Sequence, residues 1–200
     1  MKNLKKIILF DLDKTLITHD TFKLFFFYLI KEKFFFYFFN LFVLIKLILK
    51  HILSNCEHKT KTKSNLIAKI LAPYTKKKIL ILSKKFAIYI YNNFKNKKIY
   101  DILLKEKRKH SEIYIVTASI GLYCRFLADL FGANLICTKV ILNKKYLAKI
   151  IGKNCYGYQK RVRVLREIKN FRKMDSVFYT DSISDRPLLN LCNKGFIIGK

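Results

Sequence analysis

Four apolar residues, Ile7 to Phe10, run without a break into Asp11-Leu12-Asp13, the pattern of a strand buried on both faces whose carboxyl end opens into a polar loop. The rhythm then changes. Leu24 to Ile30 and Phe34 to Ile45 are apolar blocks separated by Lys31, Glu32 and Lys33, too long and too free of Gly and Pro for strands, so both are predicted helices. The second block holds twelve uncharged residues before Lys46. That is about 18 Å of helix, short of the roughly 20 residues that cross a bilayer, so it reads as a buried or interfacial helix.

Residues 54–64 form a polar, basic connector, and 66–74 and 76–94 carry apolar residues at three- and four-residue spacings, so residues 18–96 are predicted to be all helical. Strands and helices alternate afterwards: helix 99–109, strand 112–116, helix 122–131, strand 135–137, helix 160–169, strand 176–179, helix 184–191 and strand 196–198. This rhythm predicts an α/β fold with a Rossmann-like parallel sheet as its core and an all-helical cap inserted after the first strand. The core would comprise residues 1–17 and 97–200, and the cap residues 18–96.

At 200 residues and 52% hydrophobic, the chain is rich enough in apolar side chains to bury a core, which excludes disorder. Lys and Arg number 41 against 13 Asp and Glu, a net charge of +28. The excess is mostly lysine, scattered along the chain among Ile, Asn, Phe and Tyr, which suits a compositional bias filling solvated positions, so no specific nucleic-acid partner is expected. Five cysteines (Cys56, Cys124, Cys137, Cys155, Cys192) form no C-x-x-C pair and have no histidine at zinc spacing. They read as small core residues in a reducing cytosol. Residues 1–10 are basic and then apolar, but they lead into Asp11 and Asp13 with no small-residue cleavage site, so no signal peptide is expected.

Three of the predicted parallel strands end in polar residues: Asp11 and Asp13, then Thr117 and Ser119, then Asp181, Ser182 and Asp185. Ligands of open α/β sheets lie at the carboxyl ends of the strands, so these groups are expected to converge. Several carboxylates meeting there repel unless a cation sits among them, and hard oxygen donors select Mg²⁺. Lys160 at the start of a predicted helix would add a fixed positive charge, completing a phosphate site. Simpler uses exist for some of these residues. Thr117 and Ser119 suit capping of the helix that follows, and Asp185 suits the acidic start of a helix before Pro187. His19, His51, His58 and His110 have no partners at ligand spacing and read as surface or packing residues.

Asp11-Leu12-Asp13-Lys14-Thr15, Val116-Thr117-Ala118-Ser119, Gly157-Tyr158-Gln159-Lys160 and Asp181-Ser182-Ile183-Ser184-Asp185 resemble the four ordered motifs of the haloacid dehalogenase superfamily. The helical insertion after the first motif resembles its phosphoserine-phosphatase-like branch, and the likeness spans nearly the whole chain. The resemblance implies that Asp11 is the nucleophile that forms an aspartyl-phosphate and that Asp13 is the general acid and base. It implies Mg²⁺ held by the Asp11 carboxylate, the Asp13 carbonyl and Asp181, with Asp185 in support. Thr117 and Lys160, with Ser119 beside them, would bind the phosphate. Lys153 and Arg161 lie close enough in sequence to compete with Lys160 for that role.

The phosphoserine enzymes pair an acidic residue after the first motif with an arginine in the cap. Here the shorter Asp20 stands where a glutamate is usual, and no arginine precedes Arg108, which disfavours phosphoserine. A cap rich in Phe and Leu and ringed by Lys31, Lys33, Lys46 and Lys50 suits an apolar or anionic phosphate ester, and in this it is similar to membrane-associated phosphatidylglycerophosphate phosphatases. A sugar phosphate or another small phosphate fits almost as well. The expected enzyme is thus a Mg²⁺-dependent phosphomonoesterase of the cytoplasm, and peripheral contact of residues 22–53 with the inner membrane face stays open. A non-catalytic membrane- or polyanion-binding protein on the same fold is the alternative.

Overall fold

The computed structural model describes residues 6–54, 58–142 and 148–199. Five parallel strands form one sheet in the order β3-β2-β1-β6-β7, where β1 is Lys6–Phe10, β2 Glu112–Ile120, β3 Asn134–Thr138, β6 Asp175–Thr180 and β7 Lys194–Ile197. β1 lies at the centre, with Ile8 in register with Ile113 on one side and Val177 on the other. Its residues are buried on both faces, as the unbroken apolar run predicts. Ile8 and Phe10 point into one hydrophobic cluster and Ile7 and Leu9 into the other, the two-residue alternation of a strand. The rings of Phe10, Tyr179 and Phe196 stack across three neighbouring strands at 5.1 and 5.0 Å between centroids.

Six helices separate β1 from β2: α1 (Thr21–Glu32), α2 (Phe34–Phe39), α3 (Leu41–Ile52), α4 (Lys59–Leu71), α5 (Lys76–Phe94) and α6 (Lys97–Arg108). α1 and α5 are capped as their sequences suggest: Asp20 accepts from the Lys23 amide and Thr75 from the Lys78 amide. The larger hydrophobic cluster runs without interruption from Phe25, Phe86 and Ile90 of these helices to Tyr123, Leu127 and Phe131 of α7 (Gly121–Phe131) and on to the sheet. The smaller one packs α8 (Tyr158–Glu167) and the short α9 (Arg186–Leu189) on the opposite face through Val164 and Leu188.

The structure corrects several boundaries. The predicted helix 34–45 is two helices broken at Asn40, and α3 continues to Ile52. α4 starts at Lys59, inside the predicted connector, because Thr62 and Lys63 have buried partners that hydropathy alone does not reveal. β2 extends beyond 116, past an irregularity, to Ile120. The antiparallel pair β4 (Val140–Leu142) and β5 (Ala148–Ile150) was not predicted; each strand has three residues, too few for a periodic signal. The predicted helix 184–191 is a 3-10 turn, Ile183–Asp185, followed by the four residues of α9. Cys124, Cys137 and Cys155 are buried as free thiols and Cys192 is half-buried, while Cys56 lies outside the described residues.

Candidate active site

The carboxyl ends of β1, β2 and β6 bring the polar motifs together. Asp11, at the end of β1, is buried, and its Oδ1 accepts from the Leu12 amide at 2.7 Å and lies 2.9 Å from Lys160 Nζ. Lys160 Nζ also donates to Asp185 Oδ2 at 2.6 Å, so one ammonium joins two carboxylates from distant segments. Thr180 Oγ1 donates to Asp185 Oδ2 at 2.7 Å and lies 3.4 Å from Asp11 Oδ2. Neither Lys153 nor Arg161 takes this place: Lys153 is exposed, and Lys160 alone of the three is buried.

Gly157 explains how Lys160 arrives there. It precedes α8 with φ at +54°, a conformation that favours glycine, and a Cβ on it would approach the Ser184 carbonyl oxygen to 3.1 Å. The helix therefore starts close against the Asp185 loop, and its first turn points the lysine into the site.

Asp13 is held from two sides. Its Oδ1 accepts from the amide and hydroxyl of Thr21 at 2.6 and 2.5 Å, and its Oδ2 accepts from Ser119 Oγ at 2.6 Å. Tyr123 OH stands 3.0 Å from Thr21 Oγ1 behind this group. Thr117 is fully buried, and its Oγ1 accepts from the Ser119 amide, leaving the hydroxyl proton free to donate elsewhere. α7 takes no side-chain cap from Thr117 or Ser119, whereas Asp185 does stand at the N-cap position of α9 before Pro187, with its carboxylate turned to Lys160 and Thr180 rather than to the helix amides. Ser119 faces Asp13, a placement nearer to positioning than to phosphate binding.

Burial dominates the electrostatics of the site. Burial raises the Asp11 carboxyl to about 7; Lys160 opposes the rise, while Asp185 and Asp13 add to it. Burial also raises Asp13, against the hydrogen bonds from Ser119 and Thr21, and raises the half-buried Asp181. Burial alone would lower Lys160, but Asp11 and Asp185 outweigh it and hold the ammonium above its usual range. Asp185 Oδ1 is buried and accepts no hydrogen bond, a placement that costs free energy unless a water or cation meets it. The described residues contain no tight group of three His, Cys, Asp or Glu side chains at metal-holding spacing. The unbonded Asp185 Oδ1 and the neighbouring Asp11 carboxylate are hard oxygen donors of the kind that suit Mg²⁺, an ion that keeps several of its waters.

A cavity of about 530 Å³ opens above Asp13 and Ser119. Phe22, Phe26, Phe27, Ile48, Ile52 and Leu66 give it apolar walls, and Asp20, Lys23, His51, Lys59, Lys63 and Asn154 supply polar groups. Lys63 is the least expected of them. It is buried, donates to the Ala118 carbonyl at 2.8 Å and Asn154 Oδ1 at 3.2 Å, and stands 4.6 Å over the Phe22 ring. Burial pulls its pKa down to about 8. Thr21, Lys63, Tyr123 and Thr180 had no sequence signal of their own beyond lying near a motif or in a basic run. His51, expected to be a surface or packing residue, lines the cavity with Nδ1 2.9 Å from Thr62 Oγ1. Asp20 also borders the cavity while its Oδ1 caps α1.

A family model described as haloacid dehalogenase-like hydrolase matches residues 8–190. A search of curated proteins finds no match. Among solved structures, a Bordetella pertussis protein of unknown function is similar at 18% identity and a TM-score of 0.77, over 96% of this chain and 89% of that one. A phosphoserine phosphohydrolase-like protein from Francisella tularensis is similar at 17% identity and a TM-score of 0.63, over 95% and 85% of the two chains. A substrate-bound phosphoserine phosphatase has 15% identity and a TM-score of 0.64, over 97% and 86%. At these identities the likeness is one of fold.

Proposed function

The chain belongs to the haloacid dehalogenase-like hydrolase family, and from that premise we propose that it is a phosphomonoesterase working through an aspartyl-phosphate on Asp11. One observation supports this reading: the residues after β1, at the end of β2, at the start of α8 and after β6 are far apart in sequence, yet direct contacts join Asp11 to Lys160, Lys160 to Asp185 and Asp13 to Ser119 at the carboxyl end of the sheet. Asp11 attacks the phosphorus, and the bond from phosphorus to the leaving oxygen breaks as Asp13 donates its proton to that oxygen. Water then attacks the aspartyl-phosphate while Asp13 takes a proton from it, releasing phosphate and restoring Asp11. The raised pKa of Asp13 suits a residue that must hold a proton in the first step and accept one in the second.

Lys160 and Thr117 would hold the transferring oxygens. Asp11, the Asp13 carbonyl and Asp181 would hold Mg²⁺, with Asp185 supporting it. When bound, Mg²⁺ supplies neutralisation of the charge on the transferring phosphoryl group. A carboxylate at Asp13, able to protonate a leaving oxygen, favours phosphate esters over carbon–halogen bonds. The cavity supports an ester with an apolar or anionic body: its walls carry lysines and aromatic rings but no arginine, which argues against phosphoserine.

The test is phosphate release from a panel of phosphoserine, sugar phosphates, an alkyl phosphate and phosphatidylglycerophosphate, with and without Mg²⁺. Turnover that needs Mg²⁺ and disappears in a folded Asp11→Asn variant is the expected result. Equal turnover by that variant would refute the assigned nucleophile.

A further inference from the structure

Of the 25 large hydrophobic residues exposed among the described residues, 13 fall between Phe27 and Leu53. Phe35, Phe39, Phe42 and Leu53 are 78%, 81%, 89% and 78% exposed. Soluble proteins scatter such residues singly, and a contiguous patch marks an interaction surface. The arrangement is not a failure of packing. Tyr37 is the buried residue of α2, and its hydroxyl bonds to the Ile70 carbonyl of α4, while Lys69 Nζ donates to Asn40 Oδ1 at 2.9 Å. α3 likewise turns Leu44, Leu47, Ile48 and His51 inward and leaves Leu41, Phe42, Ile45, Leu49 and Ile52 outside.

The charge around the patch is predominantly positive. Lysine dominates it: Lys31, Lys33, Lys46 and Lys50 are exposed beside the patch, and the single acidic residue between 27 and 54, Glu32, already lies 3.8 Å from Lys78 Nζ. Packing against a second copy would bring two lysine-rimmed faces together, with no carboxylate on α2 or α3 to pair the lysines. An anionic lipid surface meets both needs, taking the rings into the acyl boundary while the lysine stems carry their charges to the headgroups. No helix among the described residues is long and apolar enough to cross a membrane, so the fitting geometry is a helix lying in the interface.

The patch is continuous with the cavity. Phe27 and Ile52 belong to both, 64% and 67% exposed on the outside and lining the space that ends at Asp13 and Ser119. We propose that α2 and α3 dock on an anionic phospholipid bilayer and that the cavity draws an amphiphilic phosphate monoester from it. The docking stands on the surface itself, whereas the substrate class rests on the phosphatase reading.

The experiment is flotation of the full chain with vesicles of phosphatidylcholine alone or mixed with phosphatidylglycerol, for wild type and for Phe35→Ser/Phe39→Ser/Phe42→Ser. None of these three residues lines the cavity, and all are exposed, so circular dichroism should be unchanged. Wild type is expected to float with the anionic vesicles only, and the triple variant to partition about a hundredfold less. The variant should keep its turnover of p-nitrophenyl phosphate in solution and lose turnover of a long-chain alkyl phosphate embedded in vesicles. Wild type that stays off anionic vesicles, or a variant that binds them equally, overturns the docking. So does a vesicle-free dimer that the substitutions convert to monomer, since the patch then serves a second copy. Absence of soluble turnover from wild type would instead count against the phosphatase reading and leave the flotation result standing.

Discussion

Ser119 Oγ donates a 2.6 Å hydrogen bond to Asp13 Oδ2, tying the end of β2 to the loop after β1 across 106 positions of sequence. With Thr21 on the other oxygen, Asp13 cannot rotate without losing hydrogen bonds on both sides. Because these bonds favour the ionised form, they also restrain the rise that burial causes in its pKa.

Ser119→Ala therefore releases one oxygen of Asp13 and lets its pKa climb. The expected outcome is a kcat lower by about tenfold to a hundredfold with KM little changed, since the proposed general acid and base is misplaced while substrate contacts persist. The acidic limb of the pH–rate profile should move to higher pH. A change confined to KM would mean that the hydroxyl touches substrate.

Lys160 is the buried cation shared by Asp11 and Asp185. Lys160→Met would leave two buried carboxylates facing each other, a loss of about 3–5 kcal/mol. That corresponds to a fall of roughly 10 °C in Tm for a chain of this size. The fall should be larger at pH 7.5 than at pH 4.5, where Asp11, which burial raises to about 7, holds a proton instead. Thermal unfolding at the two pH values measures it.

Burial holds Asp11 near about 7, against 3.8 for an ordinary aspartate. The folded protein thus keeps a proton that the unfolded chain gives up between those values. The stability linked to it is complete below about 3.8 and is lost as the pH rises through about 7. A divalent cation needs the ionised carboxylate, so adding Mg²⁺ to EDTA-treated protein should raise Tm by about 5–10 °C at pH 8 and by little at pH 5. Equal shifts at the two pH values would place the cation away from Asp11.

Lys63 brings an ammonium into the cavity with a pKa near 8, and two of its three protons are already bonded to Ala118 and Asn154. Its remaining donor suits an anionic group on the substrate. KM for an anionic ester should therefore rise above pH 8 as the lysine loses its charge. Lys63→Met should raise KM about tenfold or more at pH 7 and flatten that pH dependence, with kcat nearly unchanged. Steady-state kinetics from pH 6.5 to pH 9.5 decide it.

The unbroken run Ile7 to Phe10 ending in two aspartates was enough to expect a buried central strand with chemistry at its end, because burial on both faces leaves no polar position within the strand. The order of Thr117, Lys160 and Asp185 behind it pointed to a phosphate site before any geometry was known. Composition and spacing also marked residues 34–45 as helical and too short to span a bilayer, and helix is found there, though broken at Asn40. These are local properties, written in runs and periods of a few residues.

Only the tertiary structure decided how the rest is used. Ser119 turns toward Asp13, and Thr21 and Thr180 join the site, because hydrogen bonds form between neighbours in space whose separation along the chain carries no pattern. Lys63 lies in a basic run that reads as solvated, and it becomes a buried donor because α4 folds over the end of β2. Which phenylalanines are core and which are surface was equally hidden. Phe25 and Phe42 have the same side chain, and Phe42 sits in the more apolar of the two helices, yet Phe25 faces Phe86 and Tyr123 while Phe42 faces solvent, and only the packing of the helices distinguishes them.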